Sequence, residues 1–181
     1  MRTSGRIRHW VVAAFLIVLV PASLWATSLP GTDFGLVMLL GPAWLVFVPV
    51  WAALFIFTFV GRWGCLRREW PRWTVAPLAV VLAGALIQWG VPVQVRFELS
   101  RAALDRFATS VARGAPPPDG GWIGLYPVLS AERVPGGASF TIEGAGGFLE
   151  AYGLVWKPGG GLNPDDHRRI DGDWYVWWIS D

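Results

Sequence analysis

Three stretches of this chain carry no charged residue: Trp10 to Ala26, Phe34 to Gly61 and Thr74 to Val95. A helix that crosses the hydrocarbon core of a bilayer needs about 20 mainly apolar residues, within a range of roughly 17–25. All three stretches reach that length. The pattern predicts an integral membrane protein with three transmembrane helices, about 10–26, 35–60 and 74–91, in an anchor spanning residues 1–91. Residues 92–181 remain for one small domain with its own core. Only 15% of the 181 residues are charged, against about 25% in a typical soluble protein.

Arginine sets the expected orientation, because cytoplasmic loops are enriched in Lys and Arg. Arg2, Arg6 and Arg8 precede the first stretch, and Arg62, Arg67, Arg68 and Arg72 lie between the second and third. The connection Thr27 to Asp33 has no base. The expected protein is a multi-pass protein of the cytoplasmic membrane, with its N-terminus inside and its C-terminal domain outside. Trp10, Trp25, Trp63, Trp70, Trp73 and Trp89 fall near the ends of the stretches, where indole rings anchor at headgroup depth. Val20-Pro21-Ala22 loosely fits a signal-peptide cleavage site, but the apolar run continues past it to Ala26. Cleavage there would leave the remaining orientation unchanged.

The absence of ionisable residues inside the stretches argues against a transporter or pump, in which they mark ion or proton pathways. Pro42 and Pro49 fall in the second stretch and are expected to bend it. Ala76, Ala79 and Ala83 share one helix face in the third, a small-residue stripe suited to close packing within the bundle. Residues 92–181 carry eight bases and eleven acids, so the exported domain is not expected to bind nucleic acid. The only cysteine, Cys65, is expected on the inner side, with no redox or catalytic role.

The C-terminal part is expected to be a small α+β domain, a mainly antiparallel sheet of about five strands with one helix on a face. Val93, Val95, Phe97 and Leu99 alternate with polar residues, which predicts a strand. Ser100 fits an N-cap, and Leu104, Phe107, Ala108 and Val111 follow helical spacing, with a stop at Gly114 and Pro116 to Pro118. Strand-like runs follow at Trp122 to Arg133, Ser139 to Glu143, Phe148 to Trp156 and Asp173 to Ile179. Pro127 demotes the first of these to an edge or bulged strand. The short turns between them imply antiparallel neighbours.

The sequence GGFLEAYGLVWKP, Gly146 to Pro158, and DGDWYVWW, Asp171 to Trp178, resembles small membrane proteins of unknown function from high-GC Gram-positive bacteria. A single lysine and a single asparagine, both with AT-rich codons, agree with such a genome. The resemblance implies a compartment and carries no catalytic residue over.

The last two strand-like runs are apolar on both faces, and one helix covers only one face of a sheet. An uncovered aromatic face marks an interaction surface. The expected binding residues are Tyr152, Trp156, Trp174 and Trp178, with Trp177, Tyr175 and Ile179 in the core. Loops such as Lys157 to Gly172 are the alternative cover for that face. The partners considered are the lipid bilayer, a membrane protein and a cell-wall glycan. No cofactor is expected. Asp165, Asp166 and His167, near Asp171 and Asp173, are weak metal-ligand candidates, because their spacing does not match an EF-hand loop. The leading expectation is therefore a non-enzymatic, membrane-anchored interaction module. The alternatives are an exported envelope enzyme using His167 with nearby acids such as Glu132, Glu143 or Glu150, and a structural accessory subunit of a membrane complex.

Overall fold

The computed structural model describes residues 3–60, 66–115, 120–147 and 150–180. Cys65, Arg62 and Trp63, Pro116 to Pro118, and Phe148 and Leu149 lie outside the described residues, as do the side chains of Arg67, Arg68, Trp70 and Arg72. The chain forms two units. One comprises residues 1–25 and 36–89, and the other residues 26–35 and 90–181.

The first unit is built from helices α1 (Thr3–Ala26), α2 (Phe34–Phe59) and α3 (Leu66–Gln88). Its interior holds Leu16, Leu19, Phe47 and Ala76. Ala83 is buried and Ala79 half-buried, so the alanine stripe of α3 faces inward. Trp44 Nε1 donates to Ser23 Oγ across 3.0 Å, which ties α2 to α1. Trp73 corrects an expectation. It sits about two turns inside α3, buried, with its ring 5.7 Å from Phe55 in edge-to-face contact, and is no interfacial anchor. Trp10, Trp25 and Trp89 are exposed. Among the described residues, one helix, over Phe34–Phe57, is long and apolar enough to cross a membrane, with 11% of its most apolar window buried. A second qualifies only if Trp73–Gln88 and Val91–Ala112 are counted as one interrupted span. The apolar helix Trp10–Ala26 is shorter.

In the second unit, helix α4 (Val91–Ala112) packs on a six-stranded antiparallel sheet. Its strands are β1 (Gly121–Ile123), β2 (Tyr126–Val134), β3 (Gly137–Ile142), β4 (Glu150–Trp156), β5 (His167–Asp171) and β6 (Trp174–Ser180), in the spatial order β1-β2-β3-β4-β6-β5. Hairpins join β1 to β2, β2 to β3 and β5 to β6, while the connection from β4 crosses β6, from its Trp174 end back to its Trp178 end, to reach the edge at β5, which runs parallel to β4. Arg168 and Arg169, both exposed, blunt that edge against further pairing. The run containing Pro127 divides into β1 and β2, and β2 carries an irregularity between Val128 and Ser130.

The expected strand over 93–99 is helical. Gly90, in the left-handed region at φ 69°, precedes the helix, and a proline near its start suits a first turn whose N–H groups have no helical partner. The buried stripe is Arg96, Phe97, Ser100, Leu104, Ala108 and Val111. Two of its members are polar, which gives the segment the alternating appearance of a strand. Val95 and Leu99, assigned to a buried face by that alternation, are exposed. Ser100 is no cap. Its Oγ accepts from Leu125 N at 3.0 Å, in the two-residue turn between β1 and β2. Gly124 in this turn has φ +61°, and a Cβ there would lie 2.7 Å from Ser100 Cβ, so only glycine allows the turn to approach the helix this closely.

Arg96 is 4% exposed. Its Nε donates to Leu125 O at 3.0 Å, Nη2 donates to the same carbonyl, and Nη1 donates to Ser28 Oγ at 2.8 Å. The guanidinium carbon lies 5.1 Å from the centre of the Tyr126 ring. Burial pulls the Arg96 pKa below its ordinary value, opposed by the electrostatic interactions with Tyr126 and Asp33. Ser28 belongs to the α1–α2 connection, which is an integral part of this unit. Leu29 and Pro30 are buried, Thr32 O accepts from Gly146 N at 2.9 Å, and Asp33 bridges to Ala145.

Arg96→Ala is expected to destabilise the folded chain by roughly 3–5 kcal/mol, because it strips partners from a buried polar cluster. Ser28→Ala should cost about 1–3 kcal/mol, the penalty of an unsatisfied buried donor. Arg101→Ala, which removes an exposed ion pair to Asp171 and Glu98, should change little. Thermal unfolding of the full-length protein in detergent, followed by near-UV circular dichroism, measures all three.

Candidate functional site

Strand alternation and one helix divide the sheet into unequal faces. The face toward α4 holds Phe140, Ile142, Leu154, Trp174 and Val176, packed on Phe97, Leu104 and Ala108. Trp174 is 2% exposed. Its Nε1 donates to Asp105 Oδ1 at 2.8 Å, and its ring centroid lies 5.8 Å from Phe140 and 6.0 Å from Phe97. Phe107 is half-buried against the same face, 5.5 Å from Phe140.

The expected binding residues are thus core or core-packed residues. Trp174 is internal, and Tyr152, Trp156 and Trp178 are partly buried against the core. Tyr152 serves the α1–α2 connection: a Cβ on Gly31, where φ is +78°, would lie 2.3 Å from the Tyr152 ring. Its hydroxyl donates to Glu150 Oε2 at 3.3 Å, and burial, then the Glu150 charge, raises its pKa. The assignment of Trp177, Tyr175 and Ile179 to the core is reversed, because α4 packs on the Trp174 face.

The helix-free face carries an open groove of about 900 Å³. In cross-strand register, Thr141, Gly153, Trp177 and His167 form one row across β3, β4, β6 and β5. Ser139, Val155, Tyr175 and Arg169 form the row two residues along. Gly153 decides how Trp177 lies. A Cβ at Gly153 would sit 2.4 Å from Trp177 Cε2, so the indole occupies the space that glycine leaves open and lies across the neighbouring strand. Trp177 also lines the groove. Its Nε1–H is shielded and has no hydrogen-bond partner among the described residues.

The loop Lys157 to Asp166 borders this face without closing it. Leu162, Lys157 and Asp166 line the groove, and a Cβ at Gly160 would approach Tyr175 Oη to 3.3 Å. Ile179, at the other end, is 59% exposed. Trp178 touches both the core and the groove margin.

The polar loop is tied internally. Asn163 Nδ2 donates to Asp166 Oδ2 at 3.1 Å, Asp165 N donates to Asn163 Oδ1 at 3.3 Å, and His167 Nδ1 lies 3.1 Å from Asn163 O. Asp165, Asp166 and His167 do not converge as a metal site. Among the described residues, no group of three His, Cys, Asp or Glu is placed to hold an ion. Glu132 and His167 both line the groove, but β3, β4 and β6 separate their strands. Four interstrand steps of about 4.8 Å put them roughly 19 Å apart along the sheet, beyond any direct proton transfer.

No family model, curated protein or solved structure matches this chain.

The two faces of β6 are separable by mutation. Trp174→Ala is expected to cost about 3–5 kcal/mol, as large-to-small core changes do, and to lower the melting temperature by several degrees. Trp177→Ala removes a half-buried ring from an open face and should cost clearly less. Equal losses in thermal unfolding of the two full-length variants would show that both faces are core.

Proposed function

We propose that this chain is a three-span, membrane-anchored module without enzymatic activity, and that its second unit faces outward and binds a partner on the helix-free face of the sheet. The observation that carries this reading is the groove at Trp177, an aromatic, half-exposed surface on a sheet whose other face is a closed core. An exposed patch of this kind needs an occupant to be useful. The separation of Glu132 from His167 weighs against the hydrolytic alternative. The open sheet weighs against an accessory subunit recognised only through its helices, whose recess among Val12, Leu16, Trp51 and Trp73 has only about 210 Å³.

The membrane part of the proposal rests on length, charge and exposure together. Leu39, Leu45 and Phe57 of α2 are between 70% and 77% exposed. Aqueous solvent penalises such a helix surface, whereas lipid does not. The arginines flank the apolar stretches in the inside-positive pattern. The α1–α2 connection and α4 belong to one folded unit, which requires both on the same side of the bilayer. An odd number of crossings for α1, and an even number for α2 with α3, satisfies that requirement with the arginine clusters inside.

In intact cells, a membrane-impermeant thiol reagent should miss Cys65 and label Gly136→Cys, which lies in the exposed β2–β3 turn. Labelling of Cys65 without permeabilisation overturns the orientation.

A photo-reactive amino acid at Ile179 should give a discrete adduct in cells, lost in Trp177→Ala. The same probe at Ala102, on the exposed side of α4, should give none. Absence of any Trp177-dependent adduct at Ile179 removes the interaction reading.

A further inference from the structure

We infer that the groove on the helix-free face takes an uncharged, β-(1→4)-linked saccharide chain, stacked on Trp177. This rests on the interaction-module reading and names the ligand chemistry of the same surface. The argument begins with what surrounds the indole. Ser139 and Thr141, on β3, present hydroxyls to the groove, and Glu132, on β2, presents a carboxylate. None of these three side chains has a hydrogen bond or ion pair within the described structure. Ile179, exposed, supplies aliphatic surface near the ring, above the buried Val155. The face therefore sets hydrogen-bonding groups beside its apolar ones.

A protein interface of high affinity has a fully apolar centre and a polar rim. Here the hydroxyls lie beside the aromatic centre, only two strands from Trp177. A β-(1→4)-linked pyranose chain has the matching pattern. Its sugar rings expose flat C–H faces, and equatorial hydroxyls project from their edges. The C–H faces stack on an aromatic ring, while the edge hydroxyls donate to Glu132 and exchange hydrogen bonds with Ser139 and Thr141. The volume, about 900 Å³, lies within the range of ordinary small-ligand sites.

Charge does not favour polyanions. The groove is lined by the acids Glu132 and Asp166 and by one lysine, Lys157, whose Nζ lies 3.5 Å from Gly161 O. Arg169 shares this face at the β5 edge, so two acids stand against two permanent bases, and that balance gives no net positive field for a phosphate-rich polymer. The placement of Trp177 is also suited to stacking: Gly153 leaves room for the indole to lie across the sheet instead of standing away from it.

Isothermal titration calorimetry of the full-length protein in a zwitterionic detergent, which carries no sugar headgroup, tests the inference. The probes are cellotetraose and chitotetraose, with inorganic polyphosphate as the anionic comparison. At least one tetrasaccharide should bind, polyphosphate should not, and Trp177→Ala should weaken binding by about tenfold or more. Trp177→Phe should recover part of the loss. The double variant Ser139→Ala with Thr141→Ala, which keeps the ring, should also bind more weakly while melting as the parent does. The inference is overturned if neither saccharide binds the parent, or if binding survives Trp177→Ala unchanged. A Trp177-dependent protein adduct at Ile179 with no saccharide binding overturns the ligand assignment and leaves the interaction module standing. Loss of both removes both.

Discussion

The guanidinium of Arg96 is the point on which the second unit turns. It is withdrawn from water inside a small core, at a cost that only hydrogen bonds and neighbouring charge can offset. Three separate parts of the chain meet there: α4, which carries it; the Gly124–Leu125 turn, whose carbonyl accepts from it; and the α1–α2 connection, whose Ser28 hydroxyl accepts from it. Tyr126 lies over the cation, and burial raises that tyrosine's pKa, so the ring stays neutral and its face remains available. A methionine of similar length would fill the space but would leave Leu125 O and Ser28 Oγ without this donor. The charge thereby selects one arrangement of three segments that hydrophobic packing alone specifies poorly.

This junction explains why the unit is discontinuous in sequence. A domain of about 90 residues has a marginal core. Leu29 and Pro30 add buried apolar surface, and the Tyr152 ring closes over Gly31. The short connection between two apolar helices is therefore a structural part of the domain. Its fold is completed only when residues far apart in the chain, Ser28 and Arg96, have been brought together.

The groove follows from an imbalance of cover. One helix shields one face of six strands, and the aromatic strand β6 contributes to both faces. On the covered side, Trp174 is held by Asp105 and two phenylalanines. On the other, Trp177 is held by a glycine on the neighbouring strand and bordered by a glycine-rich loop. The same residue type therefore has two roles three positions apart. The odd spacing sends the two side chains to opposite faces, and α4 decides which of them is buried.

Several features were legible in the residues alone, because they depend on composition and on near neighbours. The apolar stretches, the α+β class, the hairpin at Pro135-Gly136 and the parity of β4 and β6 all follow from local chemistry. Other features were beyond local reading. Val93 to Leu99 alternates like a strand, yet it is helical because Arg96 and Ser100 are buried partners of a turn 25 to 29 residues away. The edge strand β5 hides in a polar loop, since an exposed edge strand needs no apolar face. The membership of Ser28 to Asp33 in the second unit leaves no mark on its own short sequence. Which side of β6 is the core could not be read from β6 itself, because both faces are aromatic. Chain-local periodicity determined that this protein has apolar helices and an antiparallel sheet. Only the docking of α4, fixed by a buried charge and its distant acceptors, decided that Trp174 is core and that Trp177 lines the open groove.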